Sequence, residues 1–138
     1  PEQLRAFDVP AEWMPRLIDE APAWVLLATA ARGVSRLAGA SELRVKESDR
    51  IALLARNLAA CGVSVREAPD GIEVTGGPVH GAAIEGALDH RIVMAFAALG
   101  ARCDEPMRFD DVSSVYTSYP DFFSTLQSLG GEVIEGAA

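Results

Sequence analysis

The chain has 138 residues, 49% of them hydrophobic and 23% charged, the composition of a folded globular protein rather than a disordered or fibrous one. At this length a single domain buries roughly 70% of the surface its unfolded form exposes, so neither disulfides nor a structural metal is required. A formal net charge of -8 opposes general attraction to nucleic acid or to an anionic membrane, which excludes both as partners and leaves only a local basic pocket open.

Eleven of the 12 basic residues are arginine, so Lys46 is the only side-chain amine. Cys61 and Cys103 stand too far apart in sequence for a disulfide framework or a metal-ligand spacing, and point to a reducing compartment. The longest apolar run, residues 21–31, is about half of what a membrane-spanning helix needs, and no basic-then-apolar leader opens the sequence. A cytoplasmic location is expected. The chain starts Pro1-Glu2-Gln3 without an initiator methionine, which suggests a piece of a longer polypeptide.

The first expected helix is the alanine-rich stretch 22–31, which follows Asp19-Glu20 and ends before Gly33. A strand is expected at 34–37. Residues 49–61 place Ile51, Leu54, Ala55 and Leu58 on one helical stripe, stopped by Gly62. Alternation then predicts strands at 63–67 and 72–75, joined through the turn residues Pro69-Asp70-Gly71. A polar, glycine-rich connection, 76–86, contains His80. Residues 91–99 read as an apolar helix running into Gly100, 107–110 as a strand, and 110–119 as a hydroxyl-rich loop. A helix over 120–129 is expected to turn Phe122, Phe123, Leu126 and Leu129 inward, and a last strand is expected at 132–135. Interleaved helices and strands give an α/β or α+β class.

The pattern also repeats. Asp19 before an alanine-rich helix recurs as Asp89 before another, and the helix opening at Ser48-Asp49 recurs as the one opening at Pro120-Asp121, each running through glycine into a strand. The spacing of roughly 70 residues makes two units, 1–76 and 77–138. Helices related by such a repeat share a layer and a direction, so their positive poles and unsatisfied N–H groups at 19–20, 46–50, 89–91 and 117–119 are expected to form one anion-binding face.

Two of these starts are chemically dense. Arg44-Val45-Lys46-Glu47-Ser48-Asp49-Arg50 holds three cations and three acids or hydroxyls, which either neutralise one another in a solvated loop or are completed by a ligand. In Leu88-Asp89-His90-Arg91-Ile92, Asp89 can serve as an N-cap, while Arg91 beside a helix's positive pole calls for an opposing negative group. Two histidines without cysteine or carboxylate at ligand spacing give no metal site, and no nucleophile elbow, phosphate-cradling glycine loop or dinucleotide fingerprint occurs.

Together the runs RLIDEAP (16–22), RVKESDRI (44–51), LDHRIVMAF (88–96) and TSYPDFF (117–123) resemble the carboxy-terminal part of the 5-enolpyruvylshikimate-3-phosphate (EPSP) synthase family, the 3-phosphoshikimate 1-carboxyvinyltransferases. VKESDR is the most specific of these runs. The resemblance implies the enolpyruvyl transferase fold, in which each of two domains contains three βαβαββ units; this chain would supply about two of the three units of one domain. It implies transfer of the enolpyruvyl group of phosphoenolpyruvate to the 5-hydroxyl of shikimate 3-phosphate with release of phosphate, in the shikimate pathway of aromatic amino-acid biosynthesis, without cofactor or metal. Carried over by motif, Asp19 would hold the shikimate hydroxyls and take the attacking proton, beside Lys46. Glu47 would protonate the phosphoenolpyruvate methylene and later remove a proton. Arg50 and Arg91 would hold phosphoenolpyruvate, chiefly its carboxylate, and Asp89 and His90 would support Arg91.

Thr117 departs from the family, where many members carry a lysine that contributes to the phosphate end of the site. The amino-terminal half of the enzyme, a required partner in this reading, is absent, so the isolated chain is expected to be inactive. Two other readings compete: a UDP-N-acetylglucosamine enolpyruvyl transferase of the same fold, against which RVKESDR argues, and a non-catalytic repeat module that binds a small anion.

Overall fold

A computed structural model describes residues 3–136. Its strands are β1 (Asp8–Val9), β2 (Val34–Leu37), β3 (Ser64–Ala68), β4 (Gly71–Thr75), β5 (Ala83–Ile84) and β6 (Arg108–Phe109). Its α-helices are α1 (Met14–Leu17), α2 (Ala21–Thr29), α3 (Arg50–Ala60), α4 (His90–Gly100), α5 (Ser113–Ser118) and α6 (Phe122–Ser128).

Four strands form one sheet in the order β1-β2-β4-β3. β1 and β2 are parallel, as the long α2 crossover between them requires, whereas β4 is antiparallel to both of its neighbours. The expected turn joins β3 to β4, and glycine is needed at position 71 because a Cβ there would lie 1.9 Å from the carbonyl oxygen of Leu37. The solvent side of the sheet has a cross-strand charge ladder in which Arg36 and Arg66 both donate to Glu73. Its other side meets α2 and α3.

α3 follows the sequence pattern closely. Its expected stripe, Ile51, Leu54, Ala55 and Leu58, is buried, and the side chain of Asp49 caps it by accepting from the N–H of Ala52 at 3.0 Å. Asn57 on the same helix pairs with the backbone of Glu85 in both directions, its Nδ2 donating to the carbonyl and its Oδ1 accepting from the N–H. That amide ties α3 to β5, which pairs in parallel with β6 across the α4 crossover. Ile84, Ile92, Phe96 and Leu99 thereby join Val25, Leu54 and Leu58 in one core. The strands and α-helices follow in the order β1-α1-α2-β2-α3-β3-β4 and then β5-α4-β6-α5-α6. The result is a mixed α/β fold.

The turn before α4 carries strain. Ala87 and Leu88 have φ of 49° and 57°, and the N–H of Asp89 closes the turn on the carbonyl of Gly86 at 2.9 Å. Non-glycine residues enter this left-handed region at a cost, and here it presents Asp89 as the cap of α4.

Three expectations fail. Residues 113–118 are helical rather than loop, because Val115 buries completely against the domain and Asp111 holds the first turn through the N–H of Ser113. Residues 132–135 form no strand, since no described strand runs beside them to complete a ladder. The apolar residues of the 120–129 stretch do not enter the core: Phe122 packs edge to face on Phe123 and on Tyr119, Phe123 meets Tyr116 at a tilt, and Leu129 just past α6 is 81% exposed.

Candidate active site

Three segments distant in sequence deliver charged side chains to one place. The first is the 3-10 turn Ile18–Glu20 that leads into α2, the second is the stretch between Leu43 and the start of α3, and the third is the start of α4. The first turns of all three helices thus converge, with their partial positive charges on the same side. The fourth expected start does not join them. Residues 117–118 end α5 and α6 begins only at Phe122, so Thr117 occupies a helix's last turn, with its hydroxyl donating to the carbonyl of Ser114.

The dense run 44–50 divides into two groups with different jobs. Arg44 turns away, donating to Asp49 and Glu67 and to the carbonyls of Pro69 and Ala68, which fastens the start of α3 to the β3–β4 turn. Its hydrogen bonds to the carboxylates of Glu67 and Asp49 raise its pKa. Lys46, Glu47, Ser48 and Arg50 face the other way.

Arg50 is the centre of that second group. It is 1% exposed and lies against Asp89, which is 0% exposed; Nε donates to Oδ2 at 2.8 Å and one terminal nitrogen, Nη2, donates to Oδ1 at 3.2 Å. Nη2 also donates to Glu47 at 2.6 Å, and Nη1 to Asp19 at 3.4 Å. Burial works against both charges, but the hydrogen bonds and mutual attraction outweigh it: the pKa of Arg50 rises and that of Asp89 falls. Both stay ionised.

Asp19 is the shared anion of the outer part. Its carboxylate lies 4.0 Å from Lys46, 3.4 Å from Arg50 and 3.9 Å from Arg91. Arg91 also donates to the carbonyl of Asp19 at 3.0 Å and lies 3.8 Å from Glu20, which supplies the negative partner its place on α4 demands. Lys46 makes its shortest contact, 2.6 Å, with Glu42, and that hydrogen bond raises its pKa.

Asp19, Lys46, Glu47, Arg50, Asp89 and Arg91 are therefore one contiguous cluster. Asp89 differs from its expected part: its carboxylate engages the side chain of Arg50 and meets Arg91 only at the backbone N–H, 3.1 Å away. His90 opens α4 and takes no part in these contacts. Two members were not visible as such in the sequence, Glu42, which has only its i,i+4 spacing from Lys46 as a signal, and Ser48, whose hydroxyl reaches Asp89 at 2.8 Å.

Chemically, the cluster can hold a small anion on Lys46, Arg50 and Arg91 while keeping two half-exposed carboxylates, Asp19 and Glu47, available to carry protons. The chain is thus an α/β protein with paired cations and carboxylates at converging helix starts. The model of the EPSP synthase (3-phosphoshikimate 1-carboxyvinyltransferase) family matches residues 2–126, and the chain belongs to that family. It is 44% identical over 139 aligned positions to the 3-phosphoshikimate 1-carboxyvinyltransferase of Methylorubrum extorquens, covering 99% of this chain and 31% of the relative. It is 46% identical over 127 positions to that of Xanthomonas oryzae, covering 92% and 29%. EPSP synthase from Acinetobacter baumannii superposes with a TM-score of 0.90 at 36% identity, over 96% of this chain and 32% of that one. The chain spans about a third of the length of these relatives. Among the described residues no helix is long and apolar enough to cross a membrane.

Proposed function

We propose that the chain forms one wall of the active-site cleft of a cytoplasmic 3-phosphoshikimate 1-carboxyvinyltransferase. The observation that carries this reading is the convergence of Asp19, Lys46, Glu47, Arg50 and Arg91 from three segments onto one cluster. Its two units, 1–76 and 77–138, divide where β4 gives way to the glycine-rich connection, and the amino-terminal half of the enzyme supplies the opposite wall.

The reaction joins the 5-hydroxyl oxygen of shikimate 3-phosphate to C2 of phosphoenolpyruvate while C3 gains a proton; loss of a C3 proton and of phosphate then regenerates the enol ether. Asp19 takes the hydroxyl proton with Lys46 beside it. Arg91 and the outer edge of Arg50 receive the phosphoenolpyruvate carboxylate. In the structure Glu47 covers that edge of Arg50, so the incoming carboxylate replaces Glu47, and the freed Glu47 carries the C3 proton in both steps. Exclusion of water by the second wall strengthens each contact.

The test joins these 138 residues to the remaining two-thirds of the Acinetobacter baumannii enzyme and follows phosphate release from phosphoenolpyruvate and shikimate 3-phosphate. The hybrid turns over, the isolated chain does not, and Glu47→Gln in the hybrid retains phosphoenolpyruvate while losing turnover by about 10²–10⁴-fold. Turnover by the isolated chain, or a Glu47→Gln hybrid of undiminished rate, overturns the reading. A non-catalytic anion-binding module would bind without any turnover in the hybrid.

A further inference from the structure

The carboxylate of Asp89 accepts four hydrogen bonds and is fully buried: Ser48 Oγ and Arg50 Nε at Oδ2, Arg50 Nη2 and the N–H of Arg91 at Oδ1. Every direction in which such a carboxylate can accept is occupied, so it is fixed in place. It is bound through the side edge of the guanidinium, which stops rotation of Arg50 about its last bonds. The end edge is then aimed outward, between Asp19 and Glu47.

A buried ion pair is a costly way to gain stability, because apolar residues of similar volume do as well or better. It is an effective way to aim a charge. We infer that Ser48 is a positioning residue: through Asp89 it fixes the direction of the Arg50 fork that receives a substrate carboxylate. Ser48 belongs to the segment before α3 and Asp89 to the cap of α4, 41 positions apart, so the hydroxyl also locks the two helix starts to each other. Neighbouring side chains in the run point elsewhere: Glu47 lies on the outer edge of Arg50 and Asp49 caps α3. Ser48 alone among these three touches the inner carboxylate. This inference rests on the assignment of Arg50 to the phosphoenolpyruvate carboxylate proposed above.

The test uses the hybrid enzyme described above, in which these 138 residues are joined to the rest of the Acinetobacter baumannii protein, with nitrogen-15 NMR of its arginine side chains in wild type, Ser48→Ala and Ser48→Thr, each titrated with phosphoenolpyruvate in the presence of shikimate 3-phosphate. In wild type the terminal nitrogens of Arg50 give separate signals because rotation is slow, and these move on titration. In Ser48→Ala they average, and phosphoenolpyruvate binds about tenfold more weakly, the loss expected when a hydrogen bond to a charged group is removed. Ser48→Thr, which keeps the hydroxyl, restores both. Unchanged rotation in Ser48→Ala overturns the clamp, and faster rotation with unchanged affinity reduces Ser48 to a structural role and overturns the inference. Arg50 signals that never respond to phosphoenolpyruvate in wild type overturn the assignment of Arg50 itself, a failure of the proposed function that the rotation measurement keeps separate.

Discussion

Replacing Asp89 by Asn removes the charge that Arg50 is buried against while keeping the volume. The amide retains one acceptor oxygen, but its NH2 group now confronts N–H or O–H donors at a position where the carboxylate accepted two. Arg50, 1% exposed, is left with only the half-exposed Glu47 and Asp19 as counter-charges. Removing one partner of a buried pair costs about 3–5 kcal/mol. For a domain of this size, at about 3 °C per kcal/mol, the midpoint of thermal unfolding falls by roughly 9–15 °C at pH 7. The pH dependence follows from the lowered pKa of Asp89. A carboxyl whose folded pKa is depressed stabilises the fold above its unfolded pKa, about 3.9, and that contribution is lost as pH falls through the folded value. Wild type and Asp89→Asn therefore differ fully at pH 6–7 and converge as the solution is acidified below about pH 4. Thermal melts followed by circular dichroism across that range measure both quantities. A variant that melts within about 2 °C of wild type at pH 7, or a gap that persists unchanged in acid, refutes the ion pair as described.

Other expectations concern packing and the strained turn. Leu54→Ala, at a fully buried position on α3 facing the shared core, costs about 2–5 kcal/mol in urea unfolding, and a loss below 1 kcal/mol would mean that α3 is not packed as found. Leu88→Gly relieves a left-handed residue whose side chain is 64% exposed, so little burial is lost; the gain, about 1–2 kcal/mol of steric relief against up to about 1 of chain entropy, is a net stabilisation of roughly 0.5 kcal/mol by the same measurement. A clear destabilisation would mean that the Leu88 side chain does more in the fold than its exposure indicates.

The elements read correctly from sequence were those whose pattern is local. The stripe of α3 and the β3–β4 turn with glycine at 71 each depend on residues within a turn or two, and period and turn chemistry are enough to find them. The errors share another cause. Ser113–Ser118 has poor helix formers and becomes helical because Val115 finds a pocket in the fold. Residues 122–129 have a good apolar stripe, yet a stripe is buried only where another surface covers it, and none of the described residues covers Leu129.

The candidate site shows the same division at finer scale. Lys46, Glu47, Arg50, Asp89 and Arg91 were recognisable by motif, but the run 44–50 gives no local sign that Arg44 and Asp49 serve the β3–β4 turn while Arg50 and Ser48 serve Asp89. Charge pairing between residues some 40 positions apart is decided by which helix starts converge, and that is a property of the packed layers. The consequence reaches the chemistry. An arginine in water is charged but not aimed; one buried against a fully bonded carboxylate is both, because the interior contact consumes one edge of the planar fork and leaves the other for a ligand. Arg91, with its backbone N–H on the same carboxylate and its side chain partly exposed, has no such restraint. The two arginines are therefore unequal: Arg50 is fixed by a buried carboxylate, and Arg91 is held at the surface by the carbonyl of Asp19.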